Sequence, residues 1–275
     1  MKEFENRENI GANVYAKIEY GNPFGSIKDR VALQIIEEAE RNGYINCDSH
    51  IIEATSGNMG IALAAICEIK GYPCTIIMPE NMSQKRKEII KNYGANLILA
   101  PKENGMNGSI NLVQDIISEN REYYYTNQFN NIAAINSHIL FTAPEIYNQL
   151  NGDIDIIIAG IGTAATIMGL ALYFKQHNSS IKIIGILPSN YPHKIQGIGA
   201  GFEPPMLNRD LIDDVICVDD FEAFEEQMKI YKNDKIAVGI SSGAVISGLK
   251  KYVMCNDCSK KNIVLIFPDG LDRYQ

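Results

Sequence analysis

Short runs of β-branched and aliphatic residues recur along the chain, at Val14–Glu19, Ile51–Glu53, Thr75–Met78, Leu97–Leu99, Tyr123–Tyr125, Ile156–Ala159, Lys182–Ile186, Val215–Val218 and Ile263–Phe267. Stretches of helical periodicity separate most of them. Val31–Arg41 places its apolar residues on one face and stops at Gly43, and Ser83 is expected to cap a helix ending at Gly94 whose Lys85, Arg86 and Lys87 face solvent. Alternating strands and helices imply parallel sheets with right-handed crossovers. Ile156–Ala159 and Ile263–Phe267 are apolar throughout rather than alternating, as strands covered on both faces are. The pattern predicts a doubly wound α/β fold.

Ile156 to Phe174 is uncharged over the length of a membrane span, about 20 residues, but Gly160-Ile-Gly162-Thr-Ala-Ala-Thr166 breaks it into strand, glycine turn and helix. With 275 residues, 46% of them hydrophobic, the chain can fill one large or two modest cores without disulfides or metals. The formal net charge of −8 argues against nucleic-acid and anionic-membrane partners and leaves small molecules. The opening residues lack an apolar secretory segment, and the six cysteines are scattered, so reduced thiols and a cytoplasmic location are expected. Cys255-Asn-Asp-Cys258 alone has motif spacing; it reads as a surface turn before the last strand, with no metal.

Ligands of open parallel sheets sit at the carboxyl ends of strands, so the loops there are where chemistry is sought. Asn22-Pro-Phe-Gly-Ser-Ile-Lys28-Asp-Arg30 puts a lysine at a helix start, where a cation is costly unless neutralised; it is either a Schiff-base nitrogen or a solvated lysine paired with Asp29. Glu53-Ala-Thr55-Ser56-Gly57-Asn58-Met59-Gly60 suits a carboxylate or phosphate at a helix N-terminus, or is an ordinary cap. Gly160-Ile-Gly162-Thr163-Ala164-Ala165-Thr166 suits a phosphate and also satisfies a dinucleotide fingerprint, although the next strand, ending at Ser189, offers no acid for a ribose. Gly239-Ile-Ser241-Ser242-Gly-Ala244 adds adjacent hydroxyls before another helix. His193-Lys194 has no visible carboxylate partner, and His50, His138 and His177 lack metal spacing.

In this order the pieces resemble the cysteine synthase (O-acetylserine sulfhydrylase) and cystathionine β-synthase family of fold type II pyridoxal-phosphate enzymes, which are tryptophan synthase β-like. The motifs are Asn22–Arg30, Thr55–Gly60, Gln128-Phe129 followed by Thr142-Ala-Pro-Glu-Ile146, Gly162–Thr166, Lys194–Gly201, Gly239–Ala244 and Phe267–Tyr274. The resemblance implies pyridoxal 5′-phosphate on Lys28, its phosphate on Gly162, Thr163, Ala164, Ala165 and Thr166, its ring hydroxyl near Asn58 and its pyridine nitrogen near Ser241, with Ser242 as the alternative. It implies that Thr55, Ser56, Gly57, Asn58, Met59 and Gln128 bind an amino-acid substrate.

It further implies β-replacement on an O-acetylserine-like activated serine by sulfide through an aminoacrylate, giving cysteine. Siblings of that reaction are hydrogen sulfide release or another nucleophile; a cofactor-binding regulatory protein with weak catalysis is a third reading. The fold implied has two α/β domains: 22–131, smaller and mobile, and 132–275, larger, with 1–21 packing on the latter, in a homodimer.

The chain departs from the family pattern in three places. Ala164 and Ala165 replace glycines, which suits backbone anion binding as long as neither takes positive φ. Met59 stands where the family has threonine, removing a hydroxyl from the substrate side. The family's I-G-x-T-P-L segment has no counterpart well upstream of Lys28, so the fold is expected to begin without that strand.

Overall fold

The computed structural model describes residues 2–4, 10–120 and 122–274. In chain order the elements are β1 (Lys2–Phe4), β2 (Asn13–Ile18), α1 (Lys28–Arg41), β3 (His50–Ala54), α2 (Asn58–Lys70), β4 (Cys74–Pro79), α3 (Gln84–Asn92), β5 (Asn96–Ala100), α4 (Gly105–Glu119), β6 (Tyr123–Tyr125), α5 (Ile132–Ser137), α6 (Ala143–Gln149), β7 (Ile156–Gly160), α7 (Ala165–His177), β8 (Lys182–Pro188), β9 (Asp214–Val218), α8 (Asp220–Asp234), α9 (Ile240–Cys255) and β10 (Asn262–Phe267). The uncharged run from Ile156 thus divides into β7, a turn and α7, and no helix among the described residues is long and apolar enough to cross a membrane.

The strands form a six-stranded sheet in the order β1-β2-β10-β7-β8-β9 and a four-stranded sheet in the order β5-β4-β3-β6. Every pairing is parallel except β1 against β2, where Lys2–Phe4 lies antiparallel to Val14–Ala16. A short edge strand, β1, thus precedes β2, although Lys2–Phe4 does not carry the I-G-x-T-P-L segment. Three residues reading Lys-Glu-Phe carry too short a pattern to announce an edge strand.

Alternate residues of the central strands enter different cores. Ile157, Ala159, Val264 and Ile266 pack with α1, α2, α5 and α7, whereas Ile156, Ile158, Ile263 and Leu265 pack with residues of α8 and α9. In the smaller sheet Ile51, Ile76 and Met78 join the first core, while Ile52, Ala54 and Ile77 form a third with Val113 of α4. The central strands are buried on both faces, which is why they read as continuous apolar runs. The layer between the sheets holds the first core, and the carboxyl ends of β3, β6, β7 and β10 lead into the loops that carry the candidate chemistry.

Three local expectations are corrected. Ser83 precedes α3, but its hydroxyl makes no cap and donates to the Arg273 carbonyl at 3.1 Å. Arg86 does not face solvent: it is 1% exposed and shares the buried face of α3 with Ile90, one turn away. Cys255 ends α9 in solvent, but Cys258 is buried in the second core rather than exposed on a turn, and the six cysteines are free thiols.

Candidate active site

A cavity of about 280 Å³ opens between the sheets. Of the residues singled out in the sequence, Lys28, Thr55, Ser56, Asn58, Met59, Gln128, Gly162, Thr163, Ala164, Thr166 and Ser241 line it. Gly57 and Ala165 do not: Gly57 precedes α2 at φ +154° with Arg86 packed where its Cβ would be, and Ala165 is the buried first residue of α7.

Lys28 opens α1, with Asp29 in the first turn balancing the helix N-terminus. Asp29 does not serve Lys28. Its carboxylate accepts from the Phe24 amide at 2.7 Å, closing the preceding turn, and burial raises its pKa to about 6. Lys28 Nζ instead lies 3.5 Å from Thr163 Oγ1, across the cavity in sequence terms. Burial lowers its pKa to about 8, opposed by the charge of Glu53. An amine so placed is partly neutral near pH 7 and able to act as nucleophile or base.

Glu53, at the end of β3, is a residue that sequence reasoning did not single out. Its carboxylate accepts from the Ala54 amide at 2.7 Å, the Gln128 amide at 3.0 Å and the Thr126 hydroxyl, which ties β3 to the loop after β6. Gln128 is held a second time, its Nε2 donating to the Ala54 carbonyl at 2.9 Å. Burial pushes Glu53 up to about 7 despite those bonds and the positive Lys28.

The loop after β3 is shaped by small residues and by Arg86. The Gly57 amide donates to Thr55 Oγ1 at 3.0 Å. Arg86 donates to the Ser56 carbonyl at 3.1 Å and to Gln196 Oε1, and it stacks 4.6 Å over the Tyr274 ring. Met59 is buried, so its thioether packs in the core at the cavity edge.

The loop after β7 meets the segment around Gly197 so closely that a Cβ on Gly162 would sit 2.5 Å from the Gly197 carbonyl oxygen. Thr163 Oγ1 accepts from the Ala165 amide at 3.4 Å. Thr166 Oγ1 is 3.2 Å from Nε2 of buried His138, whose Nδ1 is 3.0 Å from Thr142 Oγ1. Burial, with Lys28 and Arg30 nearby, holds His138 well below its usual pKa, so it is neutral and links two hydroxyls. Spacing alone could not show this, because His138 and Thr166 meet only where the helical turn His138–Thr142 that follows α5 packs on α7. Ala164 takes φ +69°, so the condition that neither alanine adopt positive φ is broken at this position and met at helical Ala165. His193 Nε2 contacts the Gly199 carbonyl at 2.8 Å, shaping the rim.

The buried Oδ1 of Asn58 and Oγ of Ser241 have no hydrogen-bond partner, and both residues line the cavity with Lys28. Leaving such groups unsatisfied costs about 1–3 kcal/mol each, so their convergence marks a place for a polar ligand. A neutralisable amine, a helix N-terminus after a small-residue turn and two orphaned oxygens fit an aldehyde cofactor bearing a phosphate.

Comparison with known proteins agrees with this chemistry. A family model described as pyridoxal-phosphate dependent enzyme matches residues 3–269. A cysteine synthase of Staphylococcus aureus strain Mu50 is 41% identical, the match covering 96% of this chain and 87% of that protein. Among solved structures, a hydrogen sulfide-producing enzyme from Fusobacterium nucleatum superposes with a TM-score of 0.95 at 35% identity, covering 99% of this chain and 95% of the other. O-acetylserine sulfhydrylase isoform 3 from Entamoeba histolytica gives 0.92 at 35% identity, over 99% and 85%. With a family model matching residues 3–269 and near full-length similarity in sequence and structure, the chain belongs to the pyridoxal-phosphate-dependent enzyme family, on the fold type II scaffold.

Proposed function

We propose that the protein is a cysteine synthase, replacing the β-substituent of an O-acetylserine-like amino acid with sulfide. The observation that carries this reading is the convergence of Lys28 with the unpartnered oxygens of Asn58 and Ser241 on one cavity. The similarity to cysteine synthase and to O-acetylserine sulfhydrylase supplies the substrate class.

Bound there, pyridoxal phosphate would supply an aldehyde for amines and an electron sink for a Cα carbanion. Lys28 Nζ would be the amine that holds that aldehyde, and when free it would take the substrate's Cα proton and later return it, as general base and acid. Gly162, Thr163, Ala164 and Thr166, with the N-terminus of α7, would hold the phosphate. Thr55, Ser56, Asn58 and Gln128 would hold the substrate carboxylate, and Met59 would border the leaving group. Asn58 would meet the ring hydroxyl and Ser241 the ring nitrogen. A neutral hydroxyl at that nitrogen does not favour a protonated ring, which steers toward loss and replacement of the β-substituent rather than transamination.

We further propose that 22–131 forms a smaller mobile domain closing over the larger 132–275, with 1–21 on the latter. The separate four-stranded sheet of β3 to β6, and the pairing of β2 with β10, support this division. Leu33, Ile132, Leu140 and Phe141 are exposed on mutually packed elements, which supports self-association as a homodimer. Free thiols throughout are in keeping with a cytoplasmic location.

The test is the near-visible absorbance of the purified protein loaded with pyridoxal phosphate. A lysine-linked band is expected in the wild type and absent in Lys28→Ala; an equal band in both removes the assignment. Product analysis with O-acetylserine and sulfide, against cysteine alone, separates cysteine synthesis from hydrogen sulfide release. The second activity has its own support in the likeness to the Fusobacterium enzyme.

A further inference from the structure

Asp269 follows β10 and is 1% exposed. Its main chain is tied to two of the cofactor loops: it bridges Ser26, two residues before Lys28, and its carbonyl accepts from the Gly239 amide at 3.0 Å, two residues before Ser241. Its side chain reaches the third loop. Oδ2 accepts from Asn58 Nδ2 at 2.6 Å and from the Tyr274 hydroxyl at 2.6 Å. Gly239 makes this possible, because a Cβ there would overlap Asp269 Oδ1.

The direction of the Asn58 bond follows from the chemistry of the partner. A carboxylate only accepts, so the Asn58 amide must turn its nitrogen toward Asp269. That leaves Oδ1, buried and without a partner, and one remaining N–H as the groups with which Asn58 can meet a ligand. Burial pushes the Asp269 carboxyl above its usual pKa, while the Tyr274 bond, Arg86 at 4.0 Å from Oδ2 and the Asn58 bond favour the ionised form that imposes this direction. Turned the other way, the amide would set its carbonyl oxygen against a carboxylate oxygen and would offer the cavity a different pattern.

We propose that Asp269 is a positioning residue that locks the amide orientation of Asn58 and so sets the hydrogen bond Asn58 offers the cofactor. This rests on the cofactor reading above. Asp269 acts through Asn58 and does not itself take part in proton transfer. The isosteric Asp269→Asn removes the acceptor-only character and lets the Asn58 amide rotate; Asp269→Ser removes the carboxylate with a smaller side chain, so one misfolding variant does not decide the question.

The experiment is a double-mutant cycle on the loaded protein, combining each Asp269 variant with Asn58→Ala. It reads the cofactor dissociation constant and the wavelength of the near-visible band. In an otherwise wild-type background, Asp269→Asn and Asp269→Ser are expected to weaken cofactor binding about tenfold or more, as loss of a buried charge-assisted hydrogen bond does, and to displace the band. In the Asn58→Ala background the same changes should weaken binding by less than about twofold, because their route is gone. Variants that keep the wild-type wavelength and dissociation constant overturn the proposal, as does an undiminished effect in the Asn58→Ala background, which marks a merely structural role. A wild type lacking a lysine-linked band overturns the cofactor reading and this proposal together; an intact wild-type band with uncoupled Asp269 variants overturns the positioning role alone.

Discussion

The loops after β3 and β7 each carry a parallel strand into a helix of 13 residues, and in each the residue before the helix takes positive φ. They differ in what occupies that position. At Gly57 the side chain of Arg86 fills the space a Cβ would need, so glycine is required by a neighbour as well as by φ. At Ala164 the methyl has room and is 3% exposed within the first core. A left-handed alanine costs about 1–2 kcal/mol, and burial of one methyl returns roughly 0.8 kcal/mol. A positive φ before the helix thus goes with close approach at Gly57, φ +154°, and with tolerated strain at left-handed Ala164, φ +69°.

The largest effect is expected where there is no room. Gly57→Ala should destabilise the protein by about 3 kcal/mol, combining backbone strain with displacement of Arg86 from Ser56 and Gln196. The denaturant midpoint measures it; a loss under about 1 kcal/mol would mean that Arg86 moves aside freely.

A second test asks which loop governs Lys28, since Glu53 stands beside one and Thr163 belongs to the other. Capture of pyridoxal phosphate needs the neutral amine, so its rate should rise with pH, about tenfold per unit well below 8, and level off above the lysine's pKa of about 8. Glu53→Gln removes the charge that raises that pKa, so the midpoint should move to lower pH, whereas Thr163→Ser should leave it in place. An unmoved midpoint in Glu53→Gln would transfer control of the lysine away from the β3 side.

The smallest effect belongs to Ala164→Gly. Relief of strain about offsets the lost methyl and the added chain entropy, so a change within about 1 kcal/mol is expected, measurable as a melting shift of a few degrees or less. A loss as large as that of Gly57→Ala would erase the distinction between the loops.

Much of this arrangement was legible beforehand, for reasons particular residues show. β7 and β10 could be placed because strands buried on both faces are apolar without interruption, and the loops after β3 and β7 because small residues and hydroxyls cluster between strand and helix. Arg86 was misplaced because Lys85, Arg86 and Lys87 read as one solvated run, while the turn that pairs Arg86 with Ile90 points it inward. Glu53 and His138 gave no signal, because a carboxylate beside a strand and an isolated histidine are ordinary until their partners are known. β1 was missed because three residues carry no period.

The succession of elements from β2 onward and the chemical types at each turn follow from the chain alone, since these depend on local periodicity and on residues near in sequence. Only the tertiary structure decided which of them meet. Lys28 reaches Thr163 across 135 positions, and Asn58 reaches Asp269 across 211. Parallel sheets gather the carboxyl ends of distant strands at one edge, and burial there, not composition, brings Lys28 and Glu53 toward neutrality and leaves Asn58 and Ser241 with oxygens to satisfy.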